Sequence, residues 1–399
     1  MVRDVGVAEE LAQDALVIAL QRWPESGVPE NPGAWLMAVG KRRAINLLHR
    51  GKMLERKHED LAHELESFAE REPTAEELDA AREDIGDDTL TLMFVACHPV
   101  LSTEARVALT LRLIGGLSTE EIARAFLLPE PTVAQRIVRA KRTLSEKRIP
   151  FEVPRRHELA ERLSSVLEVV YLIFNEGNAA SGGDHFIRPP LADEALRLGR
   201  LLAELTPDEA EVHGLVALME INASRFAART ASTGEPILLM DQDRALWDRA
   251  LVESGLAALE RAESASAPHG PYTLQAAITA CHARATTPDE TDWNRIASLY
   301  EQLFAILPSP VVALNHAVAV SMAEGPAAGL ALVDALTSEP VLENYPLLPS
   351  ARAEFLEKLG RFDEARAEFE RAASLTENTR RRERLLARAA ACSAKASAH

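Results

Sequence analysis

Residues 117–144 read LSTEEIARAFLLPEPTVAQRIVRAKRTL, and their stop and start signals set the fold expected for the chain. Ser118 with Glu121 three residues later forms a capping box, in which hydroxyl and carboxylate each satisfy an orphan amide of the first turn. A short helix starts there and runs through Phe126. LLPEP then breaks the chain, and a longer helix runs from about Pro131 to Lys147. Upstream, Ser102 or Thr103 caps a helix through Leu113, which Gly115-Gly116 ends. A short helix, a tight turn and a longer basic helix make the helix-turn-helix layout. Glu130, Thr132, Gln135 and Arg136 fall in the first turns of the longer helix, where side chains can reach base edges in a major groove. Arg139, Lys141 and Arg142 lie further along and suit phosphates. A plain helical hairpin with a solvated basic face is the alternative for this block taken alone.

Outward from this block almost every segment reads as helix. Apolar residues recur at three- and four-residue spacing, aromatics are only 5% of the chain, and no alternating strand pattern stands out, so the expected class is all-α. A length of 399 residues calls for two or three domains. No apolar run nears the roughly 20 residues that span a bilayer, the N-terminus lacks a secretory layout, and Cys97, Cys281 and Cys392 form no CxxC pair. These features suit a reducing cytoplasm, with no membrane partner, no metal site and no disulfide framework. With a net charge of −17 the chain is repelled overall by free DNA, so any nucleic-acid contact must come from local basic faces or need a partner. Yet charge is segregated: 41–50 and 136–148 are basic, 58–90 acidic.

In the N-terminal block, 1–50, a helix over about 7–22 and a second over about 33–49 flank the loop WPESGVPENP. Trp35 precedes a basic run with Lys41, Arg42, Arg43 and Arg50, and Asn46 lies among them. An aromatic beside a cationic helix suits melted DNA, since bases stack on rings while phosphates meet cations; a core Trp35 with a solvated basic face is equally open. Glu9, Glu10, Gln13 and Asp14 give the first helix an acidic side suited to a protein partner.

From about 155 to 395 a helical array has repeat character. LGRFDEARAEFERAASL places Gly360, Phe362, Ala365, Phe369 and Ala372 at tetratricopeptide offsets. Ala328, Leu332, Ala335 and Pro340 keep the same phase, as do Ile296, Tyr300, Leu303 and Pro308, and Ala195, Gly199, Leu202 and Pro207; the stretch 223–290 is irregular. Solenoids present concave surfaces for proteins, so a regulatory partner or intramolecular docking is expected, against the alternative of a passive scaffold. No GxxxxGK, HExxH or GxSxG motif marks an enzyme. The glycine-rich NEGNAASGGD at 175–184 is a weak phosphate-loop candidate, and Cys97-His98 reads as core.

Together, VAEELAQDALVIALQRWP, NPGAWLMAVGKRRAINLLHR and LSTEEIARAFLLPEPTVAQRIVRAKRTL resemble the extracytoplasmic-function class of sigma-70 family RNA polymerase sigma factors. IGDDTLTLMFVACHPVLS, VYLIFNEGNAASGGD and DQDRALWDRALV narrow the likeness to a subgroup with a C-terminal, tetratricopeptide-like extension. The resemblance implies sigma region 2 at 1–50 (lacking its N-terminal helix, or starting late at Met1), an acidic linker at 51–90, region 4 at 91–152 and the extension at 155–395. It implies a non-enzymatic, cofactor-free protein acting at the nucleoid, with core RNA polymerase and promoter DNA as partners. Glu9, Glu10, Gln13 and Asp14 would dock on polymerase. Trp35, Lys41, Arg42, Arg43, Asn46 and Arg50 would hold the minus-ten element. Glu130, Thr132, Gln135, Arg136, Arg139, Lys141 and Arg142 would meet the minus-thirty-five element. The acidic linker would occupy the RNA exit path. A polymerase-independent helix-turn-helix regulator and a repeat-based interaction scaffold are the alternatives.

Overall fold

A computed structural model describes residues 5–53, 73–74, 77–78, 89–126, 128–154, 156–178, 188–231, 237–265, 268–376 and 379–397. Among these the regular elements are helical, with no strand. No described helix is long and apolar enough to cross a membrane. The chain divides into two compact units, one ending at Gly177 and resuming over Arg188–Leu205, the other holding Asn178 and everything from Thr206.

The first unit opens with a helical hairpin, α1 (Val5–Ser26) and α2 (Pro32–Met53). Its core is Ala15, Ala19, Trp35 and Val39, against which Ile18, Trp23, Leu36 and Leu78 pack. The small residues at 15 and 19 let the helices approach around the two indoles, whose rings meet edge to face at 5.5 Å. A helical run at 89–96 follows, then α3 (Thr103–Leu113), α4 (Thr119–Phe126) and α5 (Glu130–Glu146). Ser102 caps α3, accepting from the Ala105 amide at 3.4 Å. Gly116, at φ +71°, takes the left-handed turn after α3 that a side chain resists.

The unit does not close at the end of α5. Both α6 (Arg156–Asn178, save for its last residue) and α7 (Pro189–Leu205) belong to it, although the sequence pattern assigns them to the repeat array. Four arginines explain why. Arg106 of α3 donates to Ser165 and to Glu168 of α6. Arg162 donates to the Phe94 carbonyl at 2.6 Å, Arg188 to the Ala125 carbonyl, and Arg197 to the Ile114 carbonyl at 2.9 Å. Carbonyls at helix ends lack intrahelical partners, and the added helices supply them. Close packing adds to this: a Cβ at Gly177 would lie 2.4 Å from the Ala192 amide nitrogen, so only glycine lets α6 and α7 cross there. The phased Ala195, Gly199 and Leu202 are indeed buried, but inside this first unit.

In the second unit α8 (Ala210–Ala223) is buried on nearly every side, its apolar residues falling on all faces and even His213 and Glu220 enclosed. The irregular 223–290 stretch resolves into short 3-10 turns at Phe226–Ala228, Leu239–Asp241 and Arg244–Leu246. These are followed by α9 (Arg249–Glu263) and α10 (Pro271–Arg284), both packed on α8. Next come α11 (Trp293–Ile306), α12 (Pro310–Glu324), α13 (Pro326–Ala335), α14 (Leu347–Lys358), α15 (Phe362–Leu375) and α16 (Thr379–Ser397). Each packs on its chain neighbour, with 14 against 15 and 15 against 16 the most extensive pairs. Ala365, Phe369 and Ala372 bury as their spacing predicts. In α13 the phase differs by one: Gly329, Leu330 and Val333 face inward while Leu332 is 38% exposed. The glycine decides it, since a Cβ at 329 would sit 2.4 Å from the Ser321 Cβ.

Candidate nucleic-acid interface

The helix-turn-helix of α4 and α5 is built as its sequence dictates. The Glu121 carboxylate accepts from the Ser118 amide at 2.7 Å, and the Ser118 hydroxyl accepts from the Glu121 amide at 3.1 Å, completing the capping box. The bond from the Ser118 amide foremost, and then the Ser118 hydroxyl beside the carboxylate, hold the Glu121 carboxyl below its ordinary pKa. Ile122 and Ala123 pin α4 to the core, and Val133, Ile137, Ala140 and Leu144, spaced by three or four, turn one face of α5 inward. Leu172 and Glu176 of α6 border the same core, sharing with Val107, Ile122 and Val133 a cavity of about 220 Å³.

The remaining face of α5 carries the residues expected to read DNA. Glu130, Gln135, Arg139 and Arg142 are exposed, Thr132 and Arg136 half-buried. Arg142 pairs with Glu146 one turn on, at 2.6 Å with both groups largely in solvent, a pairing weak enough for phosphate to displace. Arg136 borders the cavity and its charge helps to lower the Glu104 pKa, after the bonds Glu104 receives at the start of α3. Lys141 departs from the pattern. It is turned towards α1 and forms an ion pair with Glu9.

The α1–α2 hairpin distributes its charges differently. Trp35 is 4% exposed, a core residue against Trp23, so its ring faces protein where base stacking was expected. Arg42 follows Ala34 and Ala38 at four-residue spacing on the buried face. It is 3% exposed and donates through both Nε and Nη2 to Glu77, so the expectation that it holds a DNA strand gives way to an internal ion pair. Thr74 donates to the same carboxylate from its amide at 2.7 Å and its hydroxyl at 2.9 Å. The Arg42 bond foremost, with those from Thr74, holds the Glu77 carboxyl at about 2. Arg43 pairs with Asp14 at 2.6 Å, joining a residue expected on DNA to one expected on polymerase. Glu10 and Gln13 are exposed and Lys41 half-buried. The side chains of Asn46 and Arg50 lie outside the described residues, as do 54–72 and 79–88 of the acidic connector and 179–184 of the glycine-rich loop.

Cys97 and His98 resolve as structural. The thiol lies 3.3 Å from the Thr110 hydroxyl, and burial pushes it up to about 11, which keeps it protonated. Burial, with the nearby Arg162 charge, lowers His98 to about 4. What the sequence reading did not single out was Glu77, whose partner Arg42 lies 35 residues away.

Comparison with known proteins places this geometry. Residues 91–144 match the model described as sigma-70, region 4, and residues 162–263 match a family of unknown function (DUF6596). An uncharacterized protein of Rhizobium meliloti strain 1021 is 43% identical over 377 residues, 94% of this chain and 88% of its own length. A probable ECF RNA polymerase sigma factor, SigI, of Mycobacterium tuberculosis is 28% identical over 163 residues, 41% of this chain and 54% of that relative, in each of two strains.

Proposed function

We infer that this chain, which belongs to the family of the Rhizobium meliloti protein and carries a sigma-70 region 4, is a sigma factor of the extracytoplasmic-function subgroup. It recruits core RNA polymerase to promoters rather than acting as an enzyme. The observation that carries the reading is the capped helix-turn-helix whose outer face keeps Gln135, Arg139 and Arg142 exposed, inside the matched region. In this reading Arg136, Thr132 and Gln135 meet base edges of the upstream element, while Arg139 and Arg142 meet phosphates. The exposed Glu10 and Gln13, with Glu9 and Asp14 once their pairs open, form the polymerase-facing side of α1. The net charge of −17 then acts against free duplex and favours DNA only in the polymerase complex. The second unit works as a tetratricopeptide-like regulatory module in the cytoplasm.

Run-off transcription by core polymerase with and without the chain, over a promoter library, tests this. Chain-dependent transcripts sharing an upstream motif are expected, with Arg136→Ala relaxing that motif. A second reading, a helix-turn-helix regulator acting without polymerase, draws on the burial of Trp35 and Arg42, which a strand-melting hairpin would expose. Sequence-specific duplex binding by the chain alone, without chain-dependent transcripts, would establish that reading instead.

A further inference from the structure

Between α8 and α10 the second unit holds a cationic cluster that the transcription reading does not use. Arg225 follows the last turn of α8, Arg229 lies four residues on, and Arg244 opens the third 3-10 turn. Trp247 lies against two of them, with the guanidinium carbons of Arg225 and Arg244 at 5.8 Å and 5.3 Å from its ring centroid. Arg244, Trp247 and His282 are each more than nine-tenths buried. Arg244 is a clasp: its Nη1 donates to the His282 and Ala285 carbonyls, and its Nη2 lies 3.4 Å from the Thr291 hydroxyl. Glu290 adds a distant opposite charge to it.

Arg225 is different. Its side-chain hydrogen bond is to the amide oxygen of Asn222, at 2.5 Å, and among the described residues no carboxylate faces it. Burial foremost, and then the like charge of Arg229, push it down to about 10. His282 is lowered to about 4, first by burial and then by the charges of Arg225 and Arg244, so its ring is neutral. Four buried polar atoms in this cluster have no hydrogen-bond partner: Nε of Arg225, Nε of Arg244, Nε1 of Trp247 and Nδ1 of His282. Three are obligate donors. Leaving such donors dry is costly, more so for a charged group, and buried cations are ordinarily matched by an anion. Here positive charge and unpartnered donors are concentrated, and among the described residues no anion matches them.

We propose that Arg225, with Trp247 and His282 beside it, forms a binding site for a small molecule bearing an oxyanion, a phosphate or a carboxylate. Arg225 supplies the charge-assisted bonds, the indole N–H adds a neutral donor, and Arg244 holds the Trp247 ring in place. Because Arg225 itself is only partly buried, the ligand enters from its side. The residues lie within or beside the matched family of unknown function, to which the site would give a sensing role. The proposal stands whether or not the chain acts with polymerase.

The test is titration of the full-length chain with inorganic phosphate and, separately, acetate, against chloride at matched ionic strength. Binding is followed by calorimetry and by the indole N–H resonance that Trp247→Phe removes. Phosphate or acetate is expected to bind with a Kd of about 1 mM or tighter and to shift that resonance. Preference between the two identifies which oxyanion the natural ligand carries. Arg225→Gln should weaken binding about tenfold or more, with Arg225→Lys keeping the charge and part of the affinity. Circular dichroism separates a folding defect from a binding one, and Trp247→Phe gives a second, milder loss. No binding beyond that of chloride, or equal binding by a folded Arg225→Gln, overturns the proposal.

Discussion

Two helices in the first unit carry comparable basic runs and use them in opposite ways. On α5 the inward face is filled by Val133, Ile137, Ala140 and Leu144, which leaves Arg139 and Arg142 outside. On α2 Trp35 and Val39 close the hairpin with α1, but the strip beside them carries only Ala34 and Ala38, and Arg42 continues that strip inward by reaching Glu77. The difference teaches that a run of cations does not by itself make a nucleic-acid surface. What decides is whether the helix has enough apolar volume to close its own core and leave the charges to water.

The comparison breaks most readily at the scale of the whole unit. Truncation after residue 155 removes the donors to the Phe94 and Ala125 carbonyls and the Ser165 and Glu168 partners of Arg106, along with Leu172 beside the core. Each buried polar group left unpaired costs about 1–3 kcal/mol, and the lost apolar packing adds more, against a typical total of about 5–15 kcal/mol. The fragment 1–155 is therefore expected to aggregate or melt without cooperativity, and 1–205 to unfold in one transition by circular dichroism. A cooperative 1–155 would show that the unit closes without α6 and α7.

Next in size is Arg42→Ala, expected to cost about 3 kcal/mol by denaturant unfolding, since it leaves Glu77 without its main partner. The pH dependence checks the cause. Glu77 titrates below its ordinary 4.5 in the fold, so the pair contributes fully above that value and is lost as pH falls towards about 2. Wild type and variant should converge over that window; a constant gap would assign the loss to packing instead. Ser118→Ala should cost about 1 kcal/mol through the lost cap, measured by the same unfolding. The smallest effect belongs to Arg43→Ala, below about 1 kcal/mol, because its pair with Asp14 is largely solvated.

Legibility in the sequence followed the same divide. Ser102, Ser118, Glu121 and Gly116 gave the helix-turn-helix almost to the residue, because caps and glycine turns are local signals. The three- and four-residue spacing likewise exposed the inward face of α5 and the buried line of Ala365, Phe369 and Ala372. What stayed hidden depended on distant partners. Nothing near Arg42 announces Glu77, 35 residues away, and nothing in the periodicity of α6 tells that its face is taken by α3 rather than by a following repeat. The one-residue phase difference in α13 arises from a close approach at Gly329, which spacing tables count as a neutral position.

The ion pair between Glu9 and Lys141 has a thermodynamic consequence. Under the proposed function one residue serves polymerase and the other DNA, yet in this arrangement each spends its charge on the other. Any partner that draws Glu9 away releases Lys141, and any phosphate that draws Lys141 away releases Glu9. The two binding equilibria are then linked, and linkage is reciprocal: whatever factor polymerase adds to the affinity for promoter, promoter must return to the affinity for polymerase.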